Sequence, residues 1–386
     1  MILGIVAEYN PFHNGHKYQI EEAKSRSGAD CVVAVMSGSF VQRGDVAICN
    51  KWARAEMALR NGVDLVVELP VYYAVQSAEF FAKGAIESLD ALGVDCVSFG
   101  AECDDATMLQ SVAKMIQSCD IEFQSVLKME LGKGSSFPFA REKALGEYGE
   151  ILRSPNNILA IEYIKAGAKN PLPIKRIGMG HDEEGQKDHF ASASFIRDLM
   201  IKGDYEKIKR LMPPSAFEII KREQYEGRAP VTLKGLEKTI IANLRKEDPM
   251  RLNQICDVTE GLENRIIAMA QEHCNLGALI DAVKTKRYTH SRIRRIMINY
   301  LLGIEKNVQG LPPAYLRLLG GNTKGLALLK HAKLPVITKM AGMEYDLLKY
   351  DVLSTDLYGL LYENEAYGKG GQDYLKSPII LKDTIE

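Results

Sequence analysis

The sequence predicts an α/β fold for the first half of the chain and a mainly helical second half. Up to about residue 100, apolar runs of the kind that form strands buried on both faces alternate with segments of helical spacing. Such alternation is typical of a parallel sheet with right-handed helical crossovers on its faces. The predicted strands are Ile2–Ala7 and residues 30–36, 64–69 and 95–99, and the predicted helices are residues 15–25, 51–60 and 75–92.

Length and composition are those of a folded protein with more than one domain. The chain has 386 residues, of which 46% are hydrophobic and 26% charged. It is long enough for each domain to bury its own core. Because the strand and helix alternation fades past residue 204, we expect a first domain over residues 1–204 and a mainly helical one over 205–386. The net charge is −1, so a nucleic-acid partner would need a local basic patch.

Several classes of protein are disfavoured by sequence features that the chain lacks. No stretch approaches the roughly 18 apolar residues of a membrane span, and the N-terminus does not have the pattern of a signal peptide. The seven cysteines form no C-x-x-C pair and no cluster of zinc-site spacing. We therefore expect a cytoplasmic protein with reduced thiols, with no membrane partner and with no metal-ligand residues.

The first turn of the chain is the strongest candidate for a functional site. The first strand ends in a polar, proline-containing turn over residues 8–12, and His13, Asn14, Gly15 and His16 then open a helix. Backbone N–H groups at a helix start are unpaired and carry partial positive charge, so a polyphosphate can bind there. His13 and His16 lie on the same helix face as further donors, and Gly15 permits close approach of a ligand. We predict a nucleotide-binding and catalytic turn.

Other predicted strand ends carry polar residues that would face the same crevice. The loop over residues 37–45 contains Arg43, and the following helix carries Lys51 and Arg54, which are possible helpers in balancing phosphate charge. Gly100 ends the fourth strand and leaves room for a flat base or a ribose. Because the carboxyl ends of parallel strands meet at one edge of a sheet, these groups are expected to converge.

Three further segments could add ligand contacts. Ser154 and Pro155 predict a helix start that carries Asn156 and Asn157, either of which is available to cap the helix or to bind ligand. A fifth strand is predicted over residues 174–177, with Arg176 inside it, followed by a polar loop over 178–189. The helix start over residues 191–197 offers Ser194 and Arg197 to phosphate.

A basic stretch marks the second half. Residues 284–295 hold six Lys and Arg and no acid, and Tyr288 and His290 add flat rings. This composition suits a phosphate backbone and unstacked bases, although a solvated helix face has the same pattern. The cations are Lys284, Lys286, Arg287, Arg292, Arg294 and Arg295. Residues 315–338 further predict a small βαβ unit.

Two motifs resemble signatures of the nucleotidylyltransferase superfamily, to which class I aminoacyl-tRNA synthetase catalytic domains are also related. His13-Asn14-Gly15-His16 resembles its H-x-G-H signature, and residues 191–197 resemble its Ser/Thr-rich helix start ending in Ile-Arg, although Ala193 and Phe195 depart from the usual residues. More narrowly, four stretches together resemble the tRNA(Met) cytidine acetate ligase family over most of the chain, most densely before residue 200. They read GIVAEYNPFHNGH, SGSFVQRGD, LPVYYAVQSAEFFAKGAI and SPNNILAIEY.

That resemblance implies a Rossmann-like nucleotidylyltransferase domain that activates acetate with ATP and transfers the acetyl group to N4 of the wobble cytidine of elongator tRNA(Met). Acetyl adenylate would be the intermediate, with no covalent enzyme adduct. His13 and His16 would be catalytic, and Mg²⁺ would sit on the pyrophosphate, held mainly by ATP oxygens and water. The expected ATP site comprises Val6, Ala7, Glu8, Tyr9, Asn10, Pro11, Phe12, His13, Asn14, Gly15, His16, Lys17, Tyr18, Gln19, Gly100, Asn157, Arg176, Ser194 and Arg197.

Two other functions use the same features. A small-molecule nucleotidylyltransferase of cofactor synthesis would need the histidine turn but no RNA. The residues beyond 204 argue against it, because a minimal transferase domain needs no such addition. The third possibility is an RNA-binding protein with a degenerate nucleotide fold.

Overall fold

The computed structural model describes residues 1–118, 121–177 and 189–382. Within them the strands are β1 (Ile2–Ala7), β2 (Cys31–Ser37), β3 (Phe40–Val41), β4 (Asp45–Val46), β5 (Leu65–Leu69), β6 (Cys96–Ala101), β7 (Leu172–Lys175), β8 (Leu316–Asn322), β9 (Val336–Ile337) and β10 (Ile379–Leu381).

The helices of the first half are α1 (Asn14–Ser27), α2 (Lys51–Leu59), α3 (Val71–Ala74), α4 (Ala78–Ala91), α5 (Ala106–Ser118), α6 (Ile121–Gly132), α7 (Phe137–Ala144), α8 (Pro155–Lys165) and α9 (Ala193–Lys202). Those of the second half are α10 (Tyr205–Leu211), α11 (Pro214–Tyr225), α12 (Glu237–Leu244), α13 (Pro249–Leu252), α14 (Leu262–Glu272), α15 (Leu276–Val283), α16 (His290–Leu302), α17 (Thr323–Leu328), α18 (Leu348–Gly359) and α19 (Gln372–Leu375). Short 3-10 helices cover Gly146–Arg153, Leu233–Leu236, Lys306–Val308, Leu329–His331 and Glu365–Tyr367.

A mainly parallel sheet forms the centre of the protein and confirms the predicted α/β fold. Its strand order is β10-β8-β5-β2-β1-β6-β7, and β9 pairs with β8. All of these pairs are parallel except β5 with β8. Every residue of β2 is buried, as expected of a strand covered on both faces. The chain moves from β1 to β2 on one side, whereas β6 lies on the other, so β1 ends at the point where connections diverge and where ligands bind in such sheets.

Helices cover both faces of the sheet around β1. On one face, Phe81 and Leu89 of α4 and Ile161 of α8 belong to an apolar cluster with alternate residues of the strands. On the other, Ile20 of α1 and Ala53 of α2 belong to a second cluster. A third cluster lies within α12 to α16 and gives that helical region its own core.

Three local predictions differ from the structure. The fifth strand is Leu172–Lys175, so Arg176 follows the strand instead of lying inside it. The helix predicted over residues 75–92 begins later, at Ala78, because the chain is extended at its N-cap residue Ser77. The loop over 37–45 contains most of the β3 and β4 hairpin.

The second half is mainly helical, as predicted, and it also contributes to the sheet. The predicted βαβ unit is confirmed as β8, α17 and the parallel strand β9. In addition, β8 pairs with β5 and β10 with β8, so the central sheet contains strands from both sides of residue 204. The domain boundary therefore stays a prediction.

Of the predicted loop 178–189, residues 178–188 lie outside the described ones. Within the described chain, no helix combines the length and apolarity that crossing a bilayer requires.

Candidate active site

The two histidines of the first turn are held by reciprocal backbone hydrogen bonds. His13 is the N-cap of α1, and its Nδ1 accepts from the N–H of Gly15 at 3.0 Å. The Nδ1 of His16 accepts from the N–H of His13 at 3.2 Å. Because each Nδ1 is an acceptor, a neutral ring carries its proton on Nε2. The cap therefore fixes both tautomers and leaves two Nε2–H donors for a ligand.

Gly15 is required by the close packing of this turn. A Cβ built on Gly15 would lie 2.9 Å from Cε1 and 3.0 Å from Nδ1 of His13. A methyl group there would push the His13 ring out of its capping position. The glycine of the motif thus serves the histidine that precedes it as well as leaving space for a ligand.

Burial keeps both imidazoles neutral. The pKa of His13 is lowered to about 3, by burial first and then by the positive charges of Arg176 and Arg197. The pKa of His16 is also lowered, by burial first and then by His13 and Arg176. At neutral pH these rings act as hydrogen-bond donors, while Arg176 and Arg197 supply the charge.

The start of α9, which is the second segment predicted to bind phosphate, is hydrogen-bonded to the first turn. Arg197 of α9 donates from Nη1 to the carbonyl of Asn10 at 2.9 Å. Asn14 donates from Nδ2 to the carbonyls of His189 at 2.9 Å and Arg210 at 3.0 Å. Ser192 caps α9 by accepting from Phe195 N–H, and the exposed Ser194 hydroxyl hydrogen-bonds to that of Ser192. The fold therefore brings the start of α9 and the first turn, which are about 180 positions apart in the sequence, into one crevice.

A first chamber of about 80 Å³ opens between α1 and the ends of β6 and β7. We call it the nucleotide chamber. His13, His16, Gln19, Gly100 and Arg176 line it, together with Gly15, Tyr18 and Ser192. A Cβ built on Gly100 would lie 3.5 Å from the Cγ of Arg176, which is an ordinary van der Waals contact. The nucleotide chamber brings together the histidine turn, the fourth strand end and the α9 helix start.

A second chamber, of about 190 Å³, adjoins the first. It lies on the side of β1 covered by α4 and α8, and it shares His16, Gln19, Gly100 and Arg176 with the nucleotide chamber. Its other walls include Val6, Ala7, Glu8, Tyr9, Asn10, Gln42, Arg43, Phe81, Leu159 and Tyr163. Sequence reasoning did not single out the last four of these as one site, because they come from a hairpin and two helices that only the fold brings together.

Several predicted ATP contacts have structural partners in the turn. The buried Phe12 ring packs against Tyr9 and His16, with ring centroids 4.9 Å and 5.6 Å away. The Asn10–Pro11 peptide bond is cis, and Tyr9 has φ +45°. Lys17 lies toward Glu21 on the surface of α1, with Nζ 3.7 Å from the carboxylate. Contact of these residues with ATP stays a prediction.

The two asparagines at the start of α8 have different partners. The buried Asn157 accepts at Oδ1 from the N–H groups of Glu102 and Cys103, both at 3.0 Å. Asn156 donates from Nδ2 to the carboxylate of Glu102 at 2.6 Å. The same carboxylate lies 3.7 Å from Nε of Arg176. Asn157 thus holds the loop after β6, whereas Asn156 reaches the side chain that faces Arg176. Contact of Asn157 with ATP stays a prediction.

Lys51 and Arg54 do not reach the crevice, so their predicted role as helpers is wrong. Arg54 is fully buried and donates to the carbonyls of Glu8 at 2.6 Å, Ser37 at 2.9 Å and Cys49 at 3.0 Å, and to that of Gly38. Lys51 is buried against Glu68 and Asp373, each at 2.9 Å from Nζ. Their cations satisfy backbone and carboxylate groups beneath the site.

Only part of the basic stretch is exposed to solvent. Lys284, Lys286, Arg287 and Arg294 are exposed. Arg295 is instead buried against Asp257, with Nε 3.0 Å from the carboxylate, and Tyr288 is buried in the helical core with its hydroxyl on Glu260. Tyr288 and Arg295 are therefore unavailable for the RNA contacts predicted for them, because Arg295 lies on the buried face of α16 and Tyr288 packs in the helical core just before α16. Arg292 donates to the carbonyl of Asp257 and is partly exposed.

One exposed cation of the basic stretch, Arg294, lies against the β3 and β4 hairpin. Arg294 lies 3.5 Å from Asp45 of the β3 and β4 hairpin, measured from Nη1 to the carboxylate. Gly44, at φ +74°, packs directly on the backbone of Arg294 and Arg295. A side chain at Gly44 would separate hairpin and helix. The same hairpin carries Gln42 and Arg43 into the second chamber.

The fold and this site define a protein of the nucleotidylyltransferase class. A parallel sheet with an H-x-G-H turn at the end of its central strand is matched over residues 1–373 by the family described as HIGH Nucleotidyl Transferase.

Comparison with individual proteins narrows this class. A Thermoanaerobacter protein named tRNA(Met) cytidine acetate ligase is 42% identical over 97% of this chain and 98% of its own length. A protein of the same name from Acetivibrio thermocellus is 39% identical over 98% of this chain and its whole length. The crystal structure of Thermotoga maritima TmcAL superposes with a TM-score of 0.92 at 37% identity over 99% of both chains. Its form bound with alpha-thio ATP gives a TM-score of 0.91. The chain belongs to the tRNA(Met) cytidine acetate ligase family.

Proposed function

We propose that this protein uses ATP to activate acetate and transfers the acetyl group to the N4 amino group of the wobble cytidine of elongator tRNA(Met). The observation that carries the proposal is the pair of fixed Nε2–H donors of His13 and His16 at the N-terminus of α1. An ATP analogue bound to the Thermotoga relative supports ATP as the nucleotide. The names of the relatives support tRNA(Met) and acetate as the other substrates.

The first step would be attack of an acetate oxygen on the α-phosphorus of ATP. Pyrophosphate leaves with the bonding electron pair, and acetyl adenylate forms. His13 and His16 would donate to phosphate oxygens as negative charge builds on the leaving group, and Arg176 and Arg197 would neutralise that charge. Because both rings are neutral before ATP binds, donation costs no deprotonation step.

Magnesium would accompany ATP. Within residues 1–118, 121–177 and 189–382, no group of three or more His, Cys, Asp or Glu side chains is placed to hold a metal ion. Mg²⁺ would therefore be held by triphosphate oxygens and water, as part of the substrate.

The tRNA would bind across the hairpin and α16. The exposed Arg43 lies in the hairpin turn and lines the second chamber, and the exposed Arg294 lies 3.5 Å from Asp45 of the same hairpin. Backbone phosphates next to the target nucleotide would contact them, and the contact would weaken with salt. We also expect the protein to act in the cytoplasm, because its proposed substrates are tRNA and ATP.

The test combines two assays on purified protein. Acetate-dependent exchange of pyrophosphate into ATP reports the first step, and nucleoside mass spectrometry of tRNA(Met) after incubation with ATP and acetate reports the product. Both signals are expected. Formation of a stable nucleotidylated small molecule without acetylcytidine would contradict the proposal and favour the cofactor-synthesis alternative. tRNA binding without either signal would favour the RNA-binding alternative.

A further inference from the structure

The second chamber is larger than a two-carbon acid needs. A water molecule occupies about 30 Å³ of liquid, so a space of about 190 Å³ is equivalent to about six waters. Acetate has four heavy atoms, whereas a pyrimidine with its substituents has eight. The chamber therefore has room for a planar six-membered ring beside the acetyl group.

Two polar groups in the chamber lack a partner. Glu8 accepts at Oε1 from the N–H of Gln42 at 2.8 Å, while its Oε2 has no hydrogen bond or ion pair within the described residues. Tyr163 is 5% exposed, and its hydroxyl likewise has no hydrogen bond to a described residue. Both atoms are open to the chamber instead of being buried without a partner, so a ligand there can reach them. A ligand with a donor for Glu8 and a polar edge for Tyr163 would satisfy both.

The charge of Glu8 selects the kind of ligand. A free carboxylate repels an acetate anion at close range, whereas it accepts a hydrogen bond from an amino group. Glutamate reads cytosine by accepting from its N4 amino group, and uracil has no donor at that position. The rings of Phe81 and Tyr163 add apolar faces of the kind on which unstacked bases pack.

We propose that the second chamber receives the target cytosine of the tRNA and that the free oxygen of Glu8 binds its N4 amino group and takes a proton from it during transfer. This inference rests on the proposed function. The N4 lone pair forms a bond to the acetyl carbonyl carbon, the bond from that carbon to the adenylate oxygen breaks, and AMP leaves with the electron pair. The N4 proton passes to Glu8 and then to solvent. His16 and Arg176 line both chambers, so the adenylate would lie at their boundary.

The experiment separates activation from transfer with Glu8→Gln. Glutamine keeps an acceptor for the Gln42 N–H but removes the charge and the base. Acetate-dependent pyrophosphate exchange measures any part that Glu8, which is also a predicted ATP contact, takes in activation, and its loss is expected to be at least about tenfold smaller than the loss of transfer. Single-turnover transfer from preformed acetyl adenylate to tRNA is expected to fall by about 100-fold, the usual effect of losing a general base. Retained exchange also shows that the variant is folded.

Matched controls make the result specific. Glu79→Gln is the same substitution at an exposed position on α4 and should leave both steps unchanged. Tyr163→Phe removes only a hydroxyl and should raise the KM for tRNA by about tenfold without affecting exchange. Wild-type transfer by Glu8→Gln, or equal loss of exchange and transfer, would overturn the inference. Absence of acetylcytidine with the wild-type protein would instead overturn the proposed function.

A binding measurement gives an independent readout. Wild-type protein should bind tRNA with cytidine at the target position about tenfold more tightly than the same tRNA with uridine, a discrimination typical of one specific base contact. Glu8→Gln should abolish the difference, since an amide can accept from cytosine or donate to uracil. A preference that persists in Glu8→Gln would contradict recognition of the base by Glu8.

Discussion

The imidazole rings of His13 and His16 stack with their centroids 3.8 Å apart and 29° between their planes. Each ring accepts a backbone hydrogen bond at Nδ1, so the stacked pair presents its Nε2–H groups as two adjacent donors. The N–H groups of Gly15 and His16 already donate to His13, so a triphosphate at the start of α1 would meet the two Nε2–H donors.

Removing either donor should slow adenylate formation without unfolding the protein. In His13→Asn the new side chain remains a good N-cap, and in His16→Gln it retains the capping-box acceptor. We expect kcat/KM for acetate-dependent pyrophosphate exchange to fall by about 100- to 1000-fold in each, the usual effect of losing one such donor. His331→Asn, at an exposed site, is the control and should retain full exchange. Normal exchange by both histidine variants would exclude this turn as the reaction centre.

The free energy of unfolding should decrease as the pH falls, because His13 and His16 are neutral in the folded protein and become protonated on unfolding. The folded-state pKa of His13 is about 3, below the ordinary value of 6.5, so the unfolded chain binds more protons between these values. Its contribution to stability is therefore fully present above about pH 6.5 and is lost as the pH falls toward 3, by at most about 1.4 kcal/mol per pH unit. Urea unfolding from pH 7 to 5 should show this slope, and His13→Asn should reduce it. An unchanged slope would contradict the lowered pKa.

Gly15→Ala should affect activity more than stability. The added methyl group would displace the His13 ring, whereas alanine favours a helix over glycine by up to about 1 kcal/mol. We expect pyrophosphate exchange to fall at least about tenfold with a melting temperature close to wild type. Gly132→Ala, at a helical position with open space, is the control. A larger loss of stability than of exchange would argue that Gly15 serves the fold alone.

Arg294→Gln should weaken tRNA binding. The side chain is 48% exposed and its ion pair to Asp45 is long, so little stability should be lost. The slope of log affinity against log salt concentration should decrease by about one unit if Arg294 contacts a phosphate. Arg60→Gln, whose side chain is equally exposed at 48%, should leave tRNA affinity and its salt dependence unchanged. Indistinguishable behaviour of the two variants would remove the hairpin side of α16 from the tRNA interface.

Arg295→Met should destabilise the protein, because it leaves the Asp257 carboxylate without its buried partner. We expect a loss of about 3 kcal/mol in the free energy of unfolding, measured by urea denaturation. Wild-type stability would show that Arg295 and Asp257 are not coupled in solution. Combining this change with Asp257→Asn should recover part of the loss, since the unpaired charge is then removed.

Arg54→Lys should also destabilise, since a lysine cannot reach the four carbonyls that the guanidinium joins. These carbonyls follow β1, end β2 and precede α2, so the substitution loosens the backbone at Glu8, which lines the second chamber. Unsatisfied buried carbonyls cost about 1 to 3 kcal/mol each. A decrease of at least about 2 kcal/mol in unfolding free energy is expected, whereas an unchanged value would mean that water replaces the lost donors.

The sequence by itself determined the elements whose signals are local. The buried strands β1, β2, β5 and β6 follow from continuous apolar runs. The start of α8 follows from Ser154 and Pro155, although the Ser154 side chain makes no cap hydrogen bond, and the start of α9 is capped by Ser192. The histidine turn was predictable because strand end, turn and helix start are consecutive in the chain. The boundary of β7 was displaced because a short strand after proline carries little periodic signal.

Only the tertiary structure decided which charges are free and which chambers exist. The local sequence does not distinguish Arg54 and Arg295 from Arg43 and Arg294. The first two are nevertheless buried and the last two are exposed. Likewise, Glu8 is brought to Phe81 and Tyr163 by strand order and helix packing. Burial and partnership depend on contacts between residues far apart in the chain. Local sequence patterns carry no record of those contacts, so the structure alone distinguishes a buried cation that supports the fold from an exposed one that can meet RNA.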